Sequence, residues 1–218
     1  MRFLNEIKSR RIVLFLYFVC DQMLGRFMIY PMLKAAQRLE AYNASLILIH
    51  VFLLGTICIF SARLLVIEAG NFVQKMTKNC ITAAAFFGLI VCIQAVLLSI
   101  LKHFGIDPVS SADPDQGILF FFELLLYAPL CEEIVFRACL IDECAAHINR
   151  KVSVMFSCLL FGLLHVFIPL FGGSFTQIFF LPVYALSGYL LYECRKKTGS
   201  IICSAAVHFL VNGASLLL

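Results

Sequence analysis

Long apolar stretches recur along the chain, separated by short segments where charged residues, Asn and Gly collect. Seven stretches stand out: 11–33, 44–67, 80–101, 117–146, 152–168, 175–193 and 199–218. Each is close to the roughly 20 residues with which an α-helix crosses a hydrocarbon core of roughly 30 Å. The pattern predicts an all-α, polytopic transmembrane helical bundle of about seven spans. The first stretch is the weakest, because Asp21 and Arg26 interrupt it. They stand five residues apart, slightly past the ideal spacing for a same-face pair, so a mutual ion pair is possible but not favoured; the alternative is that they face the bundle interior. Residues 68–79 are expected to form an amphipathic helix on the inner surface. The segment 102–116 is acidic and carries Asp107-Pro108 and Asp113-Pro114. Such punctuation divides the chain into an N-terminal membrane unit, 1–101, with three spans, and a second unit, 117–218, with four. The second unit holds nearly all the candidate chemistry.

Composition agrees. Of 218 residues, 62% are hydrophobic and 14% charged, against about 25% charged in an ordinary soluble domain. The formal net charge of +4 comes without a dense Lys/Arg patch interleaved with aromatics, so nucleic acid is not an expected partner. The cations are distributed by side. With the N-terminus inside, the inner segments carry twelve Lys/Arg and the outer segments only Lys34, Arg38 and Lys102. Positive charge concentrates on the cytoplasmic side. The expected topology is therefore a multi-pass protein of the cell membrane with a cytoplasmic N-terminus and an external C-terminus. No small-residue cleavage site follows the first stretch, which reads as a span and not a cleaved leader. Most of the ten cysteines lie inside apolar stretches and no C-x-x-C occurs; they read as free thiols acting as small hydrophobes.

Against this background the charges inside the spans stand out. Glu132 and Glu133 are adjacent within an apolar helix. An ionisable group near the bilayer centre costs roughly 2.5–3.5 kcal/mol on insertion scales, so something must offset it. Arg137 lies four residues after Glu133 and can pair with it. Glu132 points about 100° away around the helix and is free for another partner. Glu123, nearer the outer end, is the weaker candidate. The fifth stretch carries Phe161-Gly-Leu-Leu-His165, and the seventh carries His208-Phe-Leu-Val-Asn212 with His208 and Asn212 on one face. At about 1.5 Å per residue, Glu132, His165 and His208 fall about 14–21 Å below the inner helix ends. Taken singly, each group has a plain packing explanation: a buried ion pair, a hydrogen-bonded histidine, an interhelical His–Asn contact. Three helices bringing such groups to one depth favour a site.

Carboxylate, imidazole and amide together suit hydrolysis of an acyl bond. A buried glutamate can act as general base toward water, one imidazole can orient that water, and a second imidazole with an amide can donate to an oxyanion. No H-E-x-x-H zincin pattern and no G-x-S-x-G elbow is present, and Asp21 is the single aspartate well inside a span. Two histidines and a glutamate are zinc-ligand types; a zinc site would use Glu132, His165 and His208.

The ordered trio Glu132-Glu133-x-x-x-Arg137, Phe161-x-x-x-His165 and His208-x-x-x-Asn212 resembles the three-motif signature of the CPBP family, the CAAX proteases and bacteriocin-processing enzymes, also called Abi proteins. The stretch from Gly188-Tyr189 through Thr198-Gly199-Ser200-Ile201 is similar as well, so the resemblance covers about 117–218. It implies a multi-helix intramembrane endopeptidase of glutamate type, with a metal-dependent protease as the older reading of the same motifs. By motif, Glu132 would activate water with help from His165, His208 and Asn212 would form the oxyanion site, Glu133 and Arg137 would support them, and Phe161 would pack beside His165. No resident cofactor is needed unless zinc is bound. The implied substrate is a peptide or lipidated protein met in membrane lipid, as in CAAX-type processing or bacteriocin maturation and immunity. A non-catalytic membrane scaffold that regulates a partner is the alternative. A small-solute transporter fits less well, since no repeated pair of broken helices marks a midplane site.

Overall fold

The computed structural model describes residues 2–36, 38–107 and 117–216. Among them the regular elements are all helical. Helix α1 covers 2–36 and α2 Leu39–Phe60; α3 is Ala62–Gln74 and α4 Met76–His103; α5 covers 117–145, α6 is Arg150–Phe171, α7 Leu181–Thr198 and α8 Ile201–Ala214. A 3₁₀ turn, Phe175–Phe180, leads into α7. Among the described residues five helices are long and apolar enough to cross a membrane: Glu6–Ala36, Glu40–Phe60, Met76–His103, Arg150–Phe167 and Phe175–Thr198. The apolar α8 is shorter. The stretch over α5 is the most interrupted, alternating between α and π geometry.

Two expectations shift in detail. The second apolar stretch does not run to residue 67; α2 ends at Phe60 and the chain re-forms as α3 after Ser61. The amphipathic helix expected over 68–79 is this α3. It stops at Lys75, whose backbone leaves helical geometry, and Met76 already begins α4. The external segment falls largely outside the described residues, including Pro108 and the Asp113-Pro114 pair. All ten cysteines are free.

Burial is arranged as a bilayer requires. Phe52, Ile59, Ile81, Val96, Met155 and Leu159 are large and exposed, while Asp21, His50, Glu132, Glu133, Arg137 and His208 are buried. Charge is turned inward and apolar surface outward, which is the arrangement that lipid favours. One core joins α1, α2, α5 and α6 through Val13, Tyr17, Ile57, Cys131, Phe136 and Phe161. Another joins α4, α7 and α8 through Phe86, Ile90, Leu191, Cys194, Cys203 and Val207. At Gly162 the α6 and α7 backbones meet. A Cβ there would lie 3.0 Å from both Ala185 N and Leu181 O. Small residues at such crossings are how membrane helices gain packing contacts.

The α7–α8 turn sets the position of the last helix. Gly199 adopts φ +66° and its N–H donates to Arg195 O, closing α7; glycine carries this left-handed cap without a Cβ clash. Ser200 precedes α8 with extended backbone but gives no side-chain cap. Glu68 from α3 does that work: its Oε2 accepts the Ile201 N–H at 2.6 Å. A carboxylate at a helix N-terminus satisfies an orphan donor and complements the dipole. Glu68 also holds Arg195 through an ion pair, and Asn71 Nδ2 donates to Gly199 O at 2.9 Å. These contacts fix the start of α8 and hence the height of His208 and Asn212.

Candidate active site

The site begins with the irregular winding of α5. Its two π segments, Glu123–Tyr127 and Glu133–Leu140, bracket Glu132. Helical hydrogen bonding slips there by one residue, a geometry that recurs at functional sites. Neighbouring helices supply side-chain donors to carbonyls in these segments. Asn212 Nδ2 reaches Leu124 O at 2.9 Å, Ser157 Oγ reaches Phe136 O at 2.8 Å, and Arg195 Nη1 reaches Arg137 O at 2.5 Å. Each contact ties α5 to α8, α6 or α7. Hydrogen bonds that would weaken a lone helix therefore clamp the bundle around the two glutamates.

Glu133 is fully buried, and so is Arg137. Their side chains face one another with Glu133 Oε1 3.4 Å from Arg137 Nη2, the pairing read from the i,i+4 spacing. The guanidinium also lies over the Phe161 ring, 4.2 Å from its centroid, so a desolvated cation gains both a counter-ion and a π face. Gly188 makes room: a Cβ there would stand 3.1 Å from Phe161 Cδ1 and 3.6 Å from Arg137 Nη2.

His208 sits between the two glutamates. Its Nδ1 is 3.2 Å from Glu133 Oε1 and its Nε2 is 3.8 Å from Glu132 Oε2. A carboxylate oxygen can only accept from an imidazole, so Nδ1 carries the proton toward Glu133 and the Nε2 edge turns toward Glu132. The simple helical wheel separated the two glutamates by direction; in the bundle they meet opposite edges of one ring. At 3.8 Å the Glu132 contact is too long for a hydrogen bond, and Glu132 Oε2 has no hydrogen-bond partner among the described residues.

His165 is oriented differently. Its Nδ1 donates to Phe161 O at 2.9 Å, one turn back on α6, which leaves Nε2 as the acceptor edge. The ring packs 4.4 Å from Phe161 and stacks on Tyr184 at 4.7 Å. Phe161 thus touches Arg137, His165 and, at 5.8 Å, His208, so it is a spacer common to the whole cluster.

Glu132, His165, His208 and Asn212 all line one cavity of about 780 Å³ inside the bundle. Such a volume suits a peptide segment or a drug-sized ligand. Glu133 and Arg137 stand behind this wall. Glu133 and the Phe161 carbonyl hold the Nδ1 atoms of the two histidines, which leaves the Nε2 edge of each for the cavity, as in a histidine oriented for ligation or for a proton. Among the described residues no three His, Cys, Asp or Glu groups converge closely enough to hold an ion.

The cavity has a second polar cluster that the sequence reading did not assemble. The Tyr30 hydroxyl donates to Asp21 Oδ1 at 2.6 Å and lies 2.9 Å from His50 Nε2. His50 Nδ1 is 3.1 Å from Glu123 Oε1, and its ring stacks 4.2 Å from that of Tyr127. Asp21 therefore does face the interior, bonded to Tyr30 and Gln22, while Arg26 lines the same cavity. His50 was missed although the rule that singled out Glu132 applied to it: an ionisable side chain in the middle of an apolar stretch. Glu68 and Arg195 were missed because both lie near stretch ends, where charge is unremarked.

Residues 114–214 match the family model described as type II CAAX prenyl endopeptidase Rce1-like. The matched segment spans all three motifs and bears out the CPBP resemblance that they carry. No curated protein and no solved structure matches the chain.

Proposed function

We propose, from the match of residues 114–214 to a CAAX prenyl endopeptidase family, that the protein is an intramembrane endopeptidase acting on a membrane-associated or lipidated peptide or protein. The observation that carries the reading is the meeting of Glu132, His165, His208 and Asn212 on one cavity. Glu132 is the general base. Its Oε2 faces the cavity side of His208 without a hydrogen-bond partner of its own, which suits an oxygen that must take a proton from water. The acceptor edge of His165 orients the same water. Attack on the scissile carbonyl forms a tetrahedral oxyanion. The remaining amide N–H of Asn212 supplies a donor to it; His208, whose Nδ1–H is given to Glu133, adds an Nε2–H donor in its doubly protonated imidazolium form. Glu132 then returns the proton to the leaving amine, and the peptide bond is cleaved with one water consumed.

Glu133 and Arg137 act through position. Glu133 fixes which nitrogen of His208 faces the cavity, and Arg137 compensates the Glu133 charge. Water activated by Glu132 carries this reading; zinc on Glu132, His165 and His208 is the alternative that chelation tests. The N-terminus is cytoplasmic in this reading, and cleavage takes place within the cell membrane.

The test is hydrolysis of a prenylated CAAX peptide by purified protein in lipid vesicles. Glu132→Gln keeps volume and hydrogen bonding but removes the base, so turnover should fall by about 10²–10⁴-fold while the protein still inserts and folds. Activity should survive exhaustive chelation. Unimpaired turnover by well-folded Glu132→Gln protein removes Glu132 as the base. Activity lost to chelation and restored by zinc moves the reading to a metalloprotease.

A further inference from the structure

Away from the catalytic cavity, α6 begins beside the end of α7. Between them lies a second pocket of about 670 Å³. Its lining joins Arg150 and Lys151 from the first turn of α6 to Arg195 and Lys196 from the last turn of α7. Four cations stand there against the carboxylates of Glu68 and Glu193. Their engagement is unequal. Arg195 is the back wall, held by Glu68 and by the Arg137 carbonyl. Arg150 and Lys196 each pair with one acid, at 3.2 Å to Asp142 and 3.0 Å to Glu193, and both are well exposed; such pairs are weak and exchangeable. Lys151 makes no ion pair among the described residues.

The level of the pocket matters as much as its sign. Arg150 opens one membrane-crossing helix and Lys196 lies two residues from the end of the next. The cations therefore stand where the hydrocarbon core gives way to head groups. Tyr189 and Tyr192 share the lining, and tyrosine favours that boundary. Met155 lines the pocket too and is 64% exposed, with Leu159 exposed one turn deeper on α6 and Leu186 exposed on α7. A ligand with an anionic head and an apolar tail meets both parts of this surface: cations at the rim and an apolar seam running into the bilayer.

We infer that this pocket binds the head group of an anionic phospholipid, whose acyl chains lie along the outer α6–α7 seam. Basic pockets between membrane helices at the interface have this chemistry. The site is separate from the cavity of the proposed peptidase and does not depend on that activity.

Native mass spectrometry of the purified full chain tests it, with phosphatidylglycerol and phosphatidylcholine offered in equal amounts. The wild type should retain phosphatidylglycerol in preference. Arg150→Gln, Lys151→Gln and Lys196→Gln combined should reduce that preference by about tenfold or more. Lys8→Gln, Lys75→Gln and Lys78→Gln combined remove as many exposed cations outside the pocket and should leave it intact. If the pocket variant does not accumulate, the single variants Lys151→Gln and Lys196→Gln should each weaken the preference. Retained preference in the pocket variants overturns the inference, and so does equal loss in the control, which would mean diffuse surface charge. Displacement of the lipid by excess inorganic phosphate would assign the pocket to a soluble anion and overturn it likewise.

Discussion

Glu133 Oε1 accepts a hydrogen bond from His208 Nδ1 at 3.2 Å, and this contact decides which edge of the imidazole meets the cavity. Glu133 can do so as a carboxylate because Arg137 stands 3.4 Å from the same oxygen. The three residues are therefore one unit, assembled from α5 and α8, with its charges compensated inside the bundle.

The unit should fail as a unit. Arg137→Ala leaves Glu133 buried and unpaired, a loss of about 3–5 kcal/mol in comparable sites. Glu133→Gln leaves Arg137 in the same position. Both variants should show lower expression and a clearly lower melting temperature in detergent, alongside lost turnover. Glu132→Gln should melt near the wild type, since Glu132 Oε2 holds no hydrogen bond to lose. An Arg137→Ala protein with wild-type stability would break this account of the ion pair.

Glycines give a second test with its own control. Gly162→Val places methyl groups where a Cβ alone would already lie 3.0 Å from the α7 backbone. Overpacking of this kind costs about 1–3 kcal/mol, and His165 sits on the same helix one turn on. Stability and turnover should fall together. Gly55→Ala and Gly88→Ala meet nothing within 4 Å, so they should be neutral or gain up to about 1 kcal/mol from helix propensity. Equal thermal melts for Gly162→Val and the wild type would refute close α6–α7 packing at this point.

Much of this was legible in the sequence, and the reasons are physical. Apolar length reports helices directly, so the bundle could be read. Charge inside such lengths is costly, so Glu132, Glu133 and Arg137 announced themselves, and the i,i+4 rule found their pairing. What could not be read was direction after packing. A regular wheel turns Glu132 away from Glu133, but the π segment at Glu133 re-aims the helix and His208 meets both. Nor could spacing reveal that Asn212 spends one amide hydrogen on Leu124 O. Glu68 capping α8 from another helix is a contact between residues 133 apart, and no local pattern encodes it. His50 was legible in principle, as a lone titratable group in an apolar helix, but its partners Asp21 and Glu123 come from two other helices.

A cytoplasmic N-terminus is the expectation set by twelve Lys/Arg on the expected inner segments against three outside. An epitope at the N-terminus should resist protease added to intact cells, and one inserted within 102–116 should be cut. The reverse pattern would invert the topology drawn from the positive-inside rule.

Asn212 offers the sharpest separation of catalysis from packing. Its amide has two donor hydrogens. One is given to Leu124 O in the first π segment of α5, at 2.9 Å, and this fixes the plane of the group at the cavity wall. The other is free to meet a developing oxyanion. Asn212→Ala removes both. Loss of an oxyanion donor lowers kcat by about 10²–10³-fold, whereas loss of one neutral interhelical hydrogen bond in a membrane costs only about 0.6 kcal/mol on average. The expected result is a large fall in kcat with little change in KM and a small change in melting temperature. Asn212→Asp should be at least as damaging to kcat, because a carboxylate beside the oxyanion repels it and can no longer donate to Leu124 O. If Asn212 were interhelical glue alone, kcat per folded molecule would stay near the wild type in both variants and only the melting temperature would move. That outcome would strike Asn212 from the oxyanion site.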